Sequence, residues 1–187
     1  MEVIPQAIPE ILLIKPKVFG DERGYFVETY QLERYVKSGL ATPFVQDNLS
    51  RSRHGTLRGL HLQEPHGQGK LVSVVEGEVF DVAVDVRVGS PTFGTWVGVL
   101  LSDKNHYQLW VPPGFAHGFC VTSENALFSY KCTDLYHPET EVGVAFDDPQ
   151  LAISWPVAAP LVGAKDKTNP PLAQIDPAKL PRYRGAL

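Results

Sequence analysis

His61, Lys70 and His117 are the residues of this chain whose types and spacing could do chemistry. From Gly55 the sequence runs five residues to His61, continues through Leu62 to Gln63, and then carries Lys70, six residues and Gly77. That is the frame G-x5-H-x-H-x(n)-E-x6-G of a barrel metal site. A further histidine comes from Pro112-Pro113-Gly114-Phe115-Ala116-His117. Two donors are replaced: Gln63 stands where the second imidazole belongs, and Lys70 where the carboxylate belongs. An amide is a poor substitute for imidazole, and an ammonium adds repulsion where a carboxylate would neutralise a divalent ion. The expectation is a pocket with no metal and no cofactor. A histidine beside a lysine in a barrel mouth suits removal of a proton next to a carbonyl, with the resulting oxyanion held in place.

His61 lies between Leu60 and Leu62 on an expected strand, so it faces away from both and shares a side with Gly59 and Gln63. Alone, such a histidine reads as a satisfied core residue; its spacing with His117 favours a functional one. Neutral imidazole is a suitable base near pH 7. The base needs a partner, usually a carboxylate, to fix its tautomer and stabilise the imidazolium. Asp81 and Asp85 on the polar face of the next strand, and Asp166 in the tail, are all candidates, and spacing does not choose among them. Lys70 closes a Gln68-Gly69-Lys70 turn. The metal-ligand register aims it inward, where it could hold a developing enolate, against the alternative of a solvent-facing lysine. Tyr130, in Phe128-Ser129-Tyr130-Lys131, reads by itself as a core or interface tyrosine. Asp21-Glu22-Arg23-Gly24-Tyr25-Phe26 reads as a structural charged turn entering a strand. Arg51, Arg53 and Arg58 fall within eight residues, either as a solvated loop or as a patch for an anionic substrate.

The elements that must position these groups are mostly strands. Thr29 to Leu40 predicts the one helix, with Leu32, Tyr35, Val36 and Leu40 on one face and Gly39 near its stop. Phe80, Val82, Val84 and Val86 alternate with Asp81, Ala83, Asp85 and Arg87, as a strand with one buried face requires. Glu76-Gly77-Glu78 separates it from Leu71 to Val75, which reads as a hairpin. Similar runs follow at Trp96 to Leu101, Gln108 to Val111, Gly118 to Thr122 and Ala126 to Thr133, punctuated by Gly, Pro, Ser, Asn and Asp. Many short strands with almost no helix predict an all-β sandwich or barrel, and a cupin-type jelly roll is the commonest home for this spacing. After Asp147 seven prolines make the chain loop-like, yet Trp155, Leu161 and Leu172 offer surface to bury, so an ordered tail is expected.

With 187 residues, 43% hydrophobic and 20% charged, the chain suits one compact domain spanning 1–187. Cys120 and Cys132 sit in apolar surroundings and read as reduced core residues of a cytoplasmic protein. The run Ile11-Leu12-Leu13-Ile14 is too short to span a membrane, and the start lacks a basic export region. A net charge of -4 argues against a nucleic-acid partner.

Taken together, the motifs resemble the dTDP-4-dehydrorhamnose 3,5-epimerase family. The resemblance runs through Val18–Gly24, Phe44-Val45-Gln46-Asp47-Asn48, Leu57-Arg58-Gly59-Leu60-His61, Gln68-Gly69-Lys70-Leu71-Val72 and Phe80–Asp85. It continues through Gly114–Phe119, Tyr130-Lys131, Trp155-Pro156 and Ala164-Lys165-Asp166, covering roughly nine-tenths of the chain. Gly163 departs from the family, which tends to have serine there. The resemblance implies a jelly-roll homodimer with exchanged N-terminal strands, acting on a dTDP-4-keto-6-deoxy sugar in L-rhamnose and cell-surface polysaccharide biosynthesis. It implies His61 as the base at C3 and C5, Asp166 as its orienting partner, Lys70 at the C4 enolate oxygen, and Tyr130 as the acid on the opposite face. It also implies a nucleotide-sugar site lined by Arg23, Glu28, Gln46, Asp47, Asn48, Arg58, His117, Glu141 and Lys165, with Tyr136 stacked on thymine. The rivals are a metal-dependent cupin, disfavoured by Gln63 and Lys70; a non-catalytic sugar-nucleotide-binding module; and, within the family, an epimerase inverting one centre only.

Overall fold

The computed structural model describes residues 1–40 and 43–185. In chain order the elements are β1 (Glu2–Pro5), β2 (Leu12–Lys15), β3 (Val18–Asp21), β4 (Gly24–Val27), α1 (Leu32–Lys37), β5 (Gln46–Arg53), β6 (Thr56–Gln63) and β7 (Lys70–Glu76). They continue with β8 (Glu78–Asp85), β9 (Trp96–Ser102), β10 (Gln108–Val111), β11 (Phe115–Val121), β12 (Asn125–Cys132), β13 (Glu141–Gly143) and β14 (Leu161–Val162). One sheet is ordered β1-β2-β10-β7-β12-β5; the other is ordered β13-β6-β11-β8-β9, with β14 added parallel to β6. β3 and β4 form a separate two-stranded ribbon. This is the jelly-roll sandwich that the strand pattern predicts.

The expected hairpin at Gly77 is absent. β7 pairs with β10 and β12, whereas β8 pairs with β9 and β11, so at Gly77 the chain crosses from one sheet to the other. Gly77 has φ +83, and a Cβ there would lie 2.0 Å from the Asn125 carbonyl oxygen, so only glycine fits the crossing. A hairpin turn and a sheet-to-sheet crossing share the same turn residues, and local sequence does not separate them.

β8 is also buried on both faces rather than one. Val79 and Ala83 join Val72, Leu109, Phe119 and Phe128 in the core between the sheets. Val82 and Val84 pack outward against Leu151, Leu172, Ile175 and Leu180 of the tail. The polar positions Asp81 and Asp85 are therefore fully buried, not on a solvated face. The tail is ordered, as expected, although Leu161 remains 44% exposed. Cys120 and Cys132 are both buried free thiols.

The helix is shorter than its pattern, six residues from Leu32 to Lys37, with Gln31 accepting from the Arg34 N–H at its start. Tyr35 and Leu40 are buried against Ile14, Leu71 and Trp110, but Leu32 and Val36 are exposed. A helix this short has too few turns for a four-residue apolar face.

Candidate active site

The sandwich opens into a pocket of about 380 Å³ lined by β5, β6, β7, β11 and β12, with Tyr136, Glu141 at the start of β13, and Asp166 from farther along the chain. On β6, Leu60 and Leu62 turn outward into the tail core while His61 turns into the pocket, as alternation requires. His117 on β11 stands directly opposite His61 in the strand register, so the two histidines of the motif meet on one wall. Lys70 begins β7, and Tyr130 on β12 comes from the facing sheet; both line the same pocket.

Among the three carboxylates left open by the sequence, Asp166 is the partner of His61: its Oδ1 lies 2.6 Å from His61 Nε2. β14 lies along β6 in parallel, and a short 3-10 turn follows that places Asp166 at the base. The Asp166 Oδ2 accepts the Gly59 N–H at 3.2 Å. Burial raises the Asp166 pKa, but the hydrogen bond and charge of His61 and the Gly59 N–H outweigh it, and the carboxyl stays below its usual range. A carboxylate on Nε2 leaves the imidazole lone pair on Nδ1. Asp81 serves the other histidine, with both carboxylate oxygens 3.0 Å from His117 Nε2. Asp85 is held instead by Arg87, Ser90 and Thr92.

Desolvation lowers the Lys70 pKa against the opposing pull of Cys132, Glu141 and Asp81. Desolvation raises that of Tyr130. A buried lysine and a phenol whose raised pKa helps it keep its proton suit oxyanion stabilisation and proton donation respectively. At the mouth, Glu141 Oε1 lies 2.5 Å from Lys165 Nζ, and the Tyr136 hydroxyl donates to Glu141 Oε2 at 2.8 Å. The Arg58 Nε–H donates to Ser52 Oγ at 3.1 Å, so one edge of its guanidinium is anchored while the residue lines the pocket.

Several expected residues are not brought together. Asp47 points away from Gln46 and Asn48 and binds Lys131 at 3.0 Å on the outer face, because neighbouring strand residues face opposite ways. Arg51 and Arg53 share that outer face of β5, so only Arg58 of the arginine group lines the pocket. Arg23 is bound to Asp21 and Glu28 to Arg34, both on or beside the β3–β4 ribbon and outside the pocket. Lys165 reaches the site through Glu141 and stays largely exposed.

Gln63 lines the pocket, but its amide is committed to backbone partners. Its amide donates to the His66 and Leu135 carbonyls and accepts from the His137 N–H. Ser50 was missed: its buried hydroxyl lines the pocket without a partner among the described residues. Period two from Gln46 and Asn48 would have found it. Gly163 leaves open space where a side chain would stand, so the absent serine does not disturb Lys165.

The chain matches the family model described as dTDP-4-dehydrorhamnose 3,5-epimerase over residues 5–174. A relative of that name from Shigella flexneri is 54% identical over 168 residues, 89% of this chain and 93% of the relative. Another from Neisseria gonorrhoeae is 52% identical over 182 residues, 96% of this chain, which spans 55% of that relative's length. The crystal structure of the Legionella pneumophila dTDP-6-deoxy-D-glucose-3,5-epimerase, in complex with dTDP-4-keto-L-rhamnose, is 55% identical. It superposes with a TM-score of 0.96, covering 98% of this chain and 99% of that one.

Proposed function

The chain belongs to the dTDP-4-dehydrorhamnose 3,5-epimerase family, and we propose that it inverts C3 and C5 of dTDP-4-dehydro-6-deoxy-D-glucose to give dTDP-4-dehydro-L-rhamnose. One observation carries the reading: a His61–Asp166 pair at 2.6 Å shares a pocket with Lys70 and Tyr130.

In this reading His61 takes the proton from C5 or C3, both α-carbons of the C4 ketone. The C–H electron pair moves into the ring as an enolate, whose oxygen charge Lys70 neutralises. Asp166 stabilises the imidazolium that forms. Tyr130 then delivers a proton to the same carbon from the opposite face, which inverts it, and proton exchange with water restores both groups. No redox change occurs and no metal is required: the pocket presents an ammonium and an amide at two positions of the metal frame, and the Gln63 amide is committed to backbone partners.

Gln46, Asn48, Arg58, His117, Glu141 and Lys165 surround the rest of the nucleotide sugar, with Tyr136 against thymine. We read the protein as one folding domain, cytoplasmic, working as a homodimer in L-rhamnose and cell-surface polysaccharide biosynthesis. Ile8, Ile11 and Ile14 are fully buried in the chain's own core and so do not themselves support association. The support lies instead on the β3–β4 ribbon, where Phe19, Tyr25 and Phe26 are 52%, 59% and 68% exposed. Arg23 lies in the turn of that ribbon and Glu28 follows its end, and in this reading both serve a partner's pocket.

Proton NMR on the dTDP-4-keto-6-deoxy sugar in deuterated buffer tests this. The wild-type chain should form inverted product deuterated at C3 and C5. Tyr130→Phe should still form the enolate, so deuterium enters recovered substrate with retained configuration while product formation falls by about 100-fold or more. Product at the wild-type rate from Tyr130→Phe would remove this tyrosine from the role.

A further inference from the structure

Where the loop from 64 to 69 meets the segment from 133 to 140, His66, Asp134 and His137 each offer one donor atom, all within 4.8 Å of one another. We propose that these three side chains form a binding site for a divalent transition metal of the zinc or nickel kind, outside the catalytic pocket and independent of the epimerase reading.

Two imidazoles and a carboxylate suit such ions and leave the fourth tetrahedral position to water. The surrounding bonds aim the donors. The Asp134 Oδ1 accepts the Leu135 N–H at 2.8 Å, while its Oδ2 lies 3.5 Å from His66 Nδ1. His137 Nδ1 lies 3.3 Å from Glu139 Oε1. A ring that donates there keeps its lone pair on Nε2, and the carboxylate behind it raises its basicity as a ligand. The two rings stack with centroids 4.1 Å apart. Binding requires them to tilt out of that stack, which side chains 48% and 30% exposed at the surface can do.

The backbone beneath is already fixed. Gln63, only 4% exposed, binds the His66 carbonyl at 2.8 Å, the Leu135 carbonyl at 3.1 Å and the His137 N–H at 2.8 Å. One buried amide therefore holds together both segments that bear the donors. An ion here would pin the stretch from Asp134 to His137, which carries Tyr136 to the pocket mouth.

The test is a zinc titration of the full chain after chelator treatment, followed by calorimetry and by the imidazole proton resonances. One zinc per chain is expected, with two histidines shifting. His66→Ala and His137→Ala should each weaken binding more than about tenfold, and Glu139→Gln by about tenfold, with unchanged circular dichroism. Absence of saturable binding, or zinc binding that persists in the His66→Ala/His137→Ala double variant, overturns the proposal. Should either variant misfold, the wild-type spectrum still decides, because shifts confined to other histidines also overturn it.

Discussion

Lys70 and Tyr130 sit in one pocket, yet their environments move their pKa values in opposite directions. Burial lowers the lysine's pKa, so it loses its proton at a pH below the ordinary lysine value of 10.5. Burial raises the phenol's, so it keeps its proton through the same range. If Lys70 must be cationic to hold the enolate, the alkaline limb of kcat/KM should report the lysine and fall below its ordinary value. Lys70→Arg should be slower, since a planar guanidinium does not replace an ammonium, but its residual activity should lose that limb because arginine stays protonated. A limb at the same pH in wild type and Lys70→Arg would assign it to another group. His61, Lys70 and His117 were legible because a metal frame with replaced donors is a specific pattern. Asp166 was legible only as one of three carboxylates, because the choice depends on β14 docking along β6 from more than 90 residues away. The misplacement of Asp47 is instructive: the family resemblance brings a whole motif to the site, but strand alternation sends every second residue of it outside.

Strand positions in the sequence were close to the observed elements, because alternation is a local property. Sheet membership was not local, and the crossing at Gly77 shows why. Its φ of +83 and the 2.0 Å approach of a Cβ to the Asn125 oxygen are consequences of β12 and β8 lying in different sheets. Gly77→Ala should therefore destabilise the protein by about 2–4 kcal/mol, combining the left-handed backbone penalty with a clash against backbone that cannot rotate away. Gly163→Ala, where nothing lies within 4 Å of the new atom, should stay within about 0.5 kcal/mol. Urea midpoints at unchanged slope measure both. Equal midpoints for the two variants would mean that the crossing relaxes freely. The same reasoning explains β8, whose alternation reads as a strand with one buried face although both of its faces are buried. The face carrying Asp81 belongs to the interior because the pocket lies between the sheets, and pocket walls need polar groups inside.

At the scale of the whole molecule, the family resemblance implies Arg23 and Glu28 for the nucleotide-sugar site, yet both stand outside the pocket of their own chain. They lie on or beside a ribbon that exposes Phe19, Tyr25 and Phe26, side chains that association would bury. A two-fold assembly that seats each ribbon at the other chain's pocket satisfies both facts at once, because an isologous contact repeats itself on both sides. Light scattering should then give twice the chain mass, but mass alone does not say which chain supplies Arg23. Mixing two inactive variants does. Arg23→Ala keeps His61 but lacks the arginine, and His61→Asn keeps the arginine but lacks the base. In a mixed dimer one pocket combines the intact His61 of one chain with the intact Arg23 of the other. Unfolding and refolding the two together should recover about a quarter of wild-type sites, since half the dimers are mixed and each has one complete pocket. If Arg23 acted within its own chain, no pocket in any dimer would be complete, and the mixture would stay as inactive as its parts.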